Sequence, residues 1–278
     1  MELETRYPQP DADTIDALVA ACVGSTTGDV EVVGTGSSAL VILTAEAAIR
    51  VARDEAAAEE MLRSQQLVEH LPDLPFDVPR SLGAPVSLSG FVAVPTTRLR
   101  GEPHPAGSGD PAVLRELLEA IHSIDTAALA PWLAKPHAFS GGPEWLEVLS
   151  GQVVPLLPKD QQDLARRVID DVSELDGYEP TLNHGDLAGA NVLWDHERVV
   201  GVLDWDLAAR CDPADDVASL ASWHGWDLVD DLADAATVRR AEMIRRTFGM
   251  QVVAFTLLHG RDESALSRAI QRASARLR

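Results

Sequence analysis

Three oxygen-bearing side chains, Asp186, Asn191 and Asp204, stand at a spacing that suits the transfer of a phosphoryl group. Such a transfer needs a carboxylate to accept the proton of the attacking hydroxyl, and oxygen ligands to hold Mg²⁺ on the phosphates. Asp186 is the candidate base. Asn191 and Asp204 are candidate ligands of Mg²⁺, because this hard cation prefers oxygen.

These residues belong to two motifs, His-Gly-Asp at 184–186 and Asp-Trp-Asp at 204–206. The catalytic loop of protein kinases has the same plan: an Asp, an Asn five positions later and a metal-binding Asp further on. Two other interpretations are open. A Gly-Asp pair is common in ordinary turns, and His with Asp suits a metallophosphatase. The order of the motifs favours kinase chemistry. The eight His residues are scattered along the chain, which argues against a metallophosphatase.

Residues 181–218 resemble the aminoglycoside phosphotransferase family, which comprises antibiotic kinases with a protein-kinase-like fold. The segment includes Asp-Pro-Ala-Asp-Asp-Val-Ala at 212–218, similar to the family's Asp-Pro-x-x-Asp-x-Ala. It is close in style to members that act on peptide antibiotics such as viomycin, and more loosely to macrolide kinases. The resemblance implies that His184 and Asp216 brace the catalytic loop through hydrogen bonds.

The resemblance also implies an α+β, two-lobe fold. An N-terminal antiparallel sheet with a helix, residues 1–99, would bind the nucleotide. A mainly helical lobe, residues 100–278, would carry the catalytic and acceptor sites. ATP or GTP would lie with Mg²⁺ between them. A strand-rich front half and a helix-rich back half agree with this division, and the Gly- and Pro-rich stretch 100–111 is the candidate boundary.

Periodicity and turn signals locate the elements. Helical spacing predicts helices at residues 11–22, 56–71, 113–123, 143–153, 161–175, 214–223, 228–232 and 237–258. Short apolar runs predict strands at residues 30–33, 39–43, 47–52, 91–94, 192–194 and 199–203. The basic C-terminal segment is interpreted as an exposed helix end.

The turn after the first predicted strand is the candidate phosphate loop. Backbone N–H groups at Gly34, Gly36 and Ser37 would approach phosphate oxygens closely, although Gly-x-Gly in a hairpin is also an ordinary turn. The resemblance places adenine against backbone groups near Thr97 and Leu99. Backbone recognition does not separate ATP from GTP.

A candidate cation for the phosphates, Arg50, lies on the strand where protein kinases carry their phosphate-pairing Lys. A guanidinium binds phosphate through two donors and stays charged; an edge-strand Arg facing water is the alternative. We expect Glu60 on the following helix to hold Arg50 by a salt bridge, as in the kinase Lys–Glu pair. Glu59 competes for that role.

Candidates for the acceptor site are Asp206, Trp223, Trp226 and Asp227, because aromatic and acidic groups together suit a cationic ligand. Asp206 faces either the metal or the acceptor in this interpretation. The alternative is that the Trp residues pack beside a solvated acidic face.

Charge and composition narrow the class of partner. A net charge of −21 argues against nucleic acid and would attract a cationic acceptor, although solubility alone also accounts for it. No apolar run reaches the length of a membrane span, and the N-terminus lacks the features of a signal peptide. We therefore expect a cytoplasmic protein, monomeric or homodimeric. Cys22 and Cys211 are interpreted as ordinary thiols.

The sequence thus predicts an ATP- or GTP- and Mg²⁺-dependent O-phosphotransferase that acts on a hydroxyl of a small molecule. The resemblance indicates an antibiotic of the aminoglycoside, peptide or macrolide type. A metabolic kinase for an amino alcohol or sugar, and a catalytically silent nucleotide-binding module, are the alternatives. The intact set of Asp186, Asn191 and Asp204 argues against the silent module.

Overall fold

A five-stranded antiparallel sheet forms the N-terminal part of the chain, in the order β1-β2-β3-β5-β4. The structure, a computed structural model, describes residues 9–24, 30–34 and 39–277. The strands of this sheet are β1 Glu31–Val33, β2 Ala39–Leu43, β3 Ala47–Ala52, β4 Val86–Leu88 and β5 Phe91–Thr97.

Two helices cover opposite faces of this sheet, and the alternation of β3 decides which residues meet each. Ile49 and Val51 are buried in a core cluster with Leu18 of α1 (Ala12–Val23). Ala52, one position further along β3, packs instead with Ala58 of α2 (Glu55–His70). Since side chains alternate along a strand, Arg50 lies on the face of the sheet that α2 covers.

The C-terminal part is mainly helical. Its helices are α3 Pro111–His122, α4 Trp145–Val148, α5 Gln162–Ser173, α6 Ala214–His224, α7 Val229–Leu232, α8 Ala235–Arg245, α9 Phe248–Leu258 and α10 Glu263–Arg276. Two small sheets lie among them, one of β6 Glu102–Pro103, β8 Val192–Asp195 and β9 Arg198–Val202, the other of β7 Thr181–Asn183 and β10 Ala209–Cys211. The predicted α+β class, with an N-terminal antiparallel sheet and a helical C-terminal region, is confirmed.

The chain after α2 joins the sheet to the helical part. Phe76 and Val78 are buried in the same core cluster as Val192 and Val202. Between them, the Asp77 N–H donates to the carbonyl of Val200 at 2.9 Å, and the Asp77 carbonyl accepts from Val202 at 3.0 Å. The hairpin that follows the candidate catalytic loop is therefore fixed to the chain of the N-terminal part. The division of the chain at residues 99 and 100 stays a prediction.

The predicted helix at 237–258 is wrong as a single element, because it consists of α8 and α9. The break comes at Thr247, which is fully buried and donates its hydroxyl to the carbonyl of Ile244 at 2.6 Å. Gly249 then packs so closely on α10 that a Cβ there would lie 2.9 Å from the Ala273 Cα. The hydrophobic period of the sequence runs on through this bend. Periodicity could not reveal the bend, because its cause is packing against another helix.

Smaller differences have local causes. The helix predicted at 143–153 is one α-helical turn, α4, followed by a π-helical segment at Leu149–Val153. Strands of two or three residues, such as β4, β6, β7 and β10, are too short to show a period. Every other predicted helix agrees with an observed helix to within two residues at each end. No helix among the described residues is both long and apolar enough to cross a membrane.

A buried ion pair fixes the start of α6. The Arg240 Nε atom of α8 lies 2.7 Å from the Asp212 Oδ2 atom, and the Arg240 Nη2 atom lies 3.1 Å from the Asp212 Oδ1 atom. Asp212 also accepts the backbone N–H of Ala214. Such a two-pronged pair is geometrically demanding, so it sets the position of the residues that follow Asp212.

We predict that Arg240→Met destabilises the fold by about 3–5 kcal/mol, because the Asp212 carboxylate is then buried without its partner. Adding Asp212→Asn should recover much of this loss, since no uncompensated charge remains. Arg246→Met is the matched control, because its pair with Asp171 is nearly half exposed and its loss should cost about 1 kcal/mol or less. Urea unfolding measures all four proteins, and equal losses for Arg240→Met and Arg246→Met would contradict the prediction.

Candidate active site

The loop between β7 and β8 carries Asp186 and Asn191. The Asn191 Nδ2 atom donates to the backbone carbonyl of Asp186 at 2.9 Å and to its Oδ2 atom at 3.1 Å. Two acceptors therefore fix which way the amide of Asn191 points. Its nitrogen closes the loop, and its Oδ1 atom is left as the group available to a cation.

Asp204 follows β9 in a left-handed backbone conformation, with φ of 60°. The Leu203 N–H donates to the Asn191 carbonyl at 2.8 Å, so the backbones that carry the two candidate metal ligands are bonded together. Although 46% of the Asp204 side chain is exposed, desolvation by the surrounding protein and the charge of Asp206 raise its pKa to about 6; Arg50 opposes this shift and Asp186 adds to it. Burial is also the main cause that raises the pKa of Asp186.

Asp204 and Asn191 offer a carboxylate oxygen and an amide oxygen, the types of ligand that Mg²⁺ prefers. Among the described residues, no group of three or more His, Cys, Asp or Glu side chains is placed to hold a metal ion. A site of this kind needs water and phosphate oxygens to complete its ligands, as is usual for Mg²⁺.

The His184 imidazole ties the catalytic loop to the segment that carries Asp204. Its Nδ1 atom accepts the N–H of Asp186 at 3.2 Å, and its Nε2 atom lies 2.8 Å from the carbonyl of Leu203. Since a carbonyl only accepts, these two bonds assign the proton to Nε2. The edge of the ring meets Trp205, with the ring centroids 4.8 Å apart.

Asp216 on α6 holds the backbone just before Asp186. Its two carboxylate oxygens accept the N–H groups of His184 at 2.8 Å and of Gly185 at 2.9 Å. The Asp216 side chain is fully buried, and the His122 Nε2 atom lies 3.4 Å from its Oδ2 atom. The structure thus brings His184 and Asp216 together beneath the catalytic loop.

Two glycines let this loop lie close to its neighbours. Gly185 has a φ of +83°, and a Cβ there would lie 2.6 Å from the carbonyl oxygen of Leu207. A Cβ on Gly189 would overlap the indole of Trp223. The Trp223 Nε1 atom donates to the carbonyl of His104 at 3.0 Å. Trp223, a candidate for the acceptor site, therefore packs against the catalytic loop.

The predicted ion pair between Arg50 and Glu60 is wrong. The Arg50 Nη1 atom lies 3.0 Å from the Asp206 Oδ1 atom, and the Nη2 atom lies 2.5 Å from Asp206 Oδ2 and 3.2 Å from Asp204 Oδ1. Glu59 and Glu60 are both exposed on α2. The helix turns its glutamates to solvent, so the cation meets the acids of the opposite loop instead.

The carboxylate of Asp206 is bonded within the protein and does not face the acceptor. Its side chain is nearly buried, and its Oδ1 atom also accepts the hydroxyl of Ser64 at 2.5 Å. Burial alone would raise the pKa of Asp206, but the charge and hydrogen bonds of Arg50, with the bond from Ser64, lower it overall. Both carboxylate oxygens are used inside the protein, so the interpretation that Asp206 faces the acceptor is wrong.

The other residues predicted to bind the nucleotide are Gly34, Gly36, Ser37 and Thr97. Gly34 is exposed at the end of β1, and its carbonyl accepts from the Arg53 Nη2 atom at 2.8 Å. Gly36 and Ser37 lie outside the described residues. The Thr97 N–H donates to the carbonyl of Arg80 at 2.8 Å, so this amide is already engaged.

The remaining candidates are Leu99, which follows β5, and Trp226 and Asp227, which follow α6. The side chain of Leu99 packs on Gly201, where a Cβ would lie 3.0 Å from Leu99 Cδ1. The Arg245 guanidinium lies 4.0 Å from the centre of the Trp226 ring, so one face of that ring already holds a cation of this chain. Asp227 is exposed.

Ser64 and Arg63, which contact Asp206 from α2, were not among the residues predicted from the sequence. The Arg63 Nη2 atom donates to the carbonyl of Asp206 at 2.6 Å, and its Nη1 atom donates to the carbonyl of Trp132 at 2.6 Å. Both residues sit within a predicted amphipathic helix. A Ser among the buried positions of that helix was the one available signal, since a buried hydroxyl needs a partner.

Comparison with known proteins gives the family. The model of the phosphotransferase enzyme family matches residues 29–255. The chain belongs to this family. Viomycin phosphotransferase of Streptomyces vinaceus is 32% identical over 133 residues, which cover 43% of this chain and 46% of that protein. The match therefore spans less than half of that relative. The family resemblance expected from the motifs is confirmed.

Solved structures of phosphotransferases share the fold. Aminoglycoside 2'-phosphotransferase-IIIa in complex with GDP superimposes with a TM-score of 0.80 at 17% identity, covering 95% of this chain and 97% of that one. A macrolide 2'-phosphotransferase from Brachybacterium faecium has a TM-score of 0.68 at 19% identity, covering 94% and 97%. The expected kinase-like fold is confirmed by these likenesses.

Asp215 gives this family member a pH-dependent element at the start of α6. Burial and the charges of Asp216 and Asp212 raise its pKa to about 7, whereas an unfolded Asp titrates near ~3.9. Because the folded value is the higher one, the protonated acid favours folding. Its contribution is complete below pH ~4 and is lost as the pH rises through about 7.

We predict that Asp215→Asn stabilises the protein at pH 8 by up to about 4 kcal/mol, which corresponds to a pKa raised by about 3, and leaves it nearly unchanged at pH 4, because the amide never ionises. Urea unfolding at the two pH values measures the difference. Asp170→Asn on the exposed side of α5 is the control and should show no such pH dependence. An equal effect of Asp215→Asn at both pH values would contradict the raised pKa.

Proposed function

We propose that this protein is an O-phosphotransferase that uses ATP or GTP with Mg²⁺ and phosphorylates a hydroxyl of a small-molecule antibiotic. The observation that carries the proposal is the convergence of Asp186, Asn191, Asp204 and Arg50 in one region of a phosphotransferase fold. Membership of the phosphotransferase enzyme family and the viomycin phosphotransferase relative support it.

In the proposed reaction, Asp186 is the general base. The Asn191 amide holds the Asp186 Oδ2 atom, so the carboxylate is oriented before the acceptor arrives. The acceptor hydroxyl attacks the γ-phosphorus as its proton passes to the Asp186 carboxylate, and the bond from the γ-phosphorus to the bridging oxygen breaks. Burial raises the pKa of Asp186, which makes the carboxylate a stronger proton acceptor.

The residues present fit Mg²⁺. The Asn191 nitrogen is engaged within the loop, which leaves the Oδ1 atom as a ligand. The Asp204 carboxylate lies among like charges that raise its pKa, so a divalent cation would relieve the repulsion. When bound, the ion neutralises charge on the transferred phosphates. His184 and Asp216 hold the two backbone segments that present these ligands.

The nucleotide would be held by residues of the N-terminal part. Arg50 would contact the phosphates, and the turn at Gly34, Gly36 and Ser37 would cover them. The amides of Thr97 and Arg98 already donate within the protein. Among the described residues, no backbone carbonyl accepts the N–H of Leu99, so Leu99 rather than Thr97 offers a donor to the base.

A cationic acceptor suits the charge of the protein. The net charge is −21, and an acidic protein speeds the approach of cations. Fold relatives were solved with kanamycin and with gentamicin bound. We propose the same broad class of acceptor here and a cytoplasmic location, with either a monomer or a homodimer.

We predict that Asp186→Ala lowers phosphoryl transfer by at least about 10²–10⁴-fold, the usual range for a lost general base, and changes nucleotide affinity by no more than about threefold, since the nucleotide contacts remain. Transfer is measured across a panel of aminoglycoside, peptide and macrolide antibiotics, and affinity by calorimetry. Asp195→Ala, an exposed carboxylate in the next hairpin, is the control. Full transfer by the Asp186 variant would disprove the assignment of the base.

We also predict that Asp204→Ala weakens nucleotide binding at least about tenfold when Mg²⁺ is present, because a charge-assisted ligand is lost. In EDTA the same variant should bind nucleotide as well as the unmodified protein, or better, since a negative charge has been removed. Titrations that are identical with and without Mg²⁺ would count against Asp204 as a ligand. Asp195→Ala again provides the control.

A further inference from the structure

We propose that Asp206 is the positioning residue that orients Arg50 toward the nucleotide phosphates, and that Ser64 and Arg63 of α2 hold Asp206 in place. This is the task that a helix glutamate performs in protein kinases. The inference rests on the proposed function, in which Arg50 binds phosphate.

The Arg50 guanidinium meets Asp206 end-on. One N–H of Nη1 and one of Nη2 point to the two carboxylate oxygens, at 3.0 and 2.5 Å, and a second N–H of Nη2 reaches Asp204 at 3.2 Å. A guanidinium has five N–H groups. Within the described residues, the Nε–H and the second N–H of Nη1 are therefore left for another acceptor, such as a phosphate oxygen.

The pair is fixed because both partners are largely buried, with 15% of the Arg50 side chain and 11% of the Asp206 side chain exposed. Burial alone would lower the pKa of Arg50, but the charges of Asp206 and Asp204 raise it. Two parallel charge-assisted bonds also define the plane of the guanidinium. The direction of the remaining N–H groups is then set by Asp206.

Helix α2 holds Asp206 through both its side chain and its backbone. The Ser64 hydroxyl donates to the Asp206 Oδ1 atom at 2.5 Å. The carbonyl of Met61, on the same helix, is a second acceptor for this hydroxyl at the longer distance of 3.1 Å. Arg63 donates to the carbonyl of Asp206 at 2.6 Å and to that of Trp132 at 2.6 Å. The helix therefore positions the acid through Ser64 and Arg63.

Glu60 stands one turn before Ser64, yet it is exposed, whereas Ser64 is 1% exposed. The Arg50 side chain is long enough to extend from β3 to the turn after Asp204, where it pairs with the carboxylate of Asp206. Asp206 is two residues from the candidate metal ligand Asp204. A single short turn would thus place both the cation of the protein and the metal relative to the same phosphates.

A double-mutant cycle between Arg50 and Asp206 tests the proposal. Calorimetry gives the dissociation constant of Mg²⁺–ATP, and steady-state kinetics give kcat and separate KM values for ATP and acceptor. We expect Asp206→Asn to weaken ATP binding roughly 10- to 100-fold and to leave the KM for the acceptor unchanged. Added to Arg50→Gln, it should cause little further loss, because it acts through Arg50. Additive losses, or a change mainly in the acceptor KM, would overturn the proposal.

Ser64 provides a milder variant in case Asp206→Asn fails to fold. Ser64→Ala keeps the ion pair and should raise the KM for ATP about 5- to 10-fold, which corresponds to one hydrogen bond of ordinary net strength, whereas Ser64→Thr restores the hydroxyl and should recover most of it. Glu60→Gln should bind ATP as the unmodified protein does, and so should Asp171→Asn, an exposed acid paired with Arg246. A tenfold loss in Glu60→Gln, or none in Ser64→Ala, would refute the assignment.

The two proposals fail in different ways. If the unmodified protein binds ATP but phosphorylates no acceptor, the proposed function is lost, and the binding cycle still decides the role of Asp206. If transfer occurs and the cycle is additive, only the positioning role is lost. If the unmodified protein binds neither ATP nor GTP, both proposals are refuted.

Discussion

Repulsion among closely spaced carboxylates governs the charge of the site. The charges of Asp206 and Asp186 both act on Asp204 and raise its pKa; Asp206 is buried, whereas 46% of the Asp204 side chain is exposed. One internal cation, Arg50, offsets part of this charge through Asp206 and Asp204. The negative charge that remains suits a divalent cation bound together with a polyphosphate, because the cation offsets the charge of both the acids and the phosphates.

The scaffold that keeps these acids together is made mostly of bonds to the backbone. The His184 imidazole bridges the N–H of Asp186 and the carbonyl of Leu203. Asp216 binds two backbone N–H groups. Such bonds fix the loops through their backbone, and the glycine at 185 lets the backbone of Leu207 lie against them.

Helix α2 links the cation of the sheet to the acids of the helical part. Arg50 and Asp206 are 156 positions apart in the chain. Arg50 lies on β3, and Asp206 lies in the turn after β9. Arg63 and Ser64 contact Asp206 directly, while the segment after α2 pairs with β9. The contacts of α2 therefore set the arrangement of the cation and the acids.

The local chemistry could be predicted from the sequence. Asp186 and Asn191 are five residues apart in one loop, so their spacing was sufficient to mark both as candidate site residues. The hairpin that carries Asp204 and most helix bounds were equally readable, because period and turn residues act over short distances.

Which acid meets Arg50 depends on contacts between distant parts of the chain. Glu59, Glu60 and Asp206 are all suitable in charge, and the choice depends on the rotation of α2 against the loop after β9. The same holds for Trp223, which packs on Gly189, and for the break before Phe248. These outcomes depend on contacts between residues far apart in the chain, where no spacing rule applies and close packing selects one arrangement among several of similar local energy.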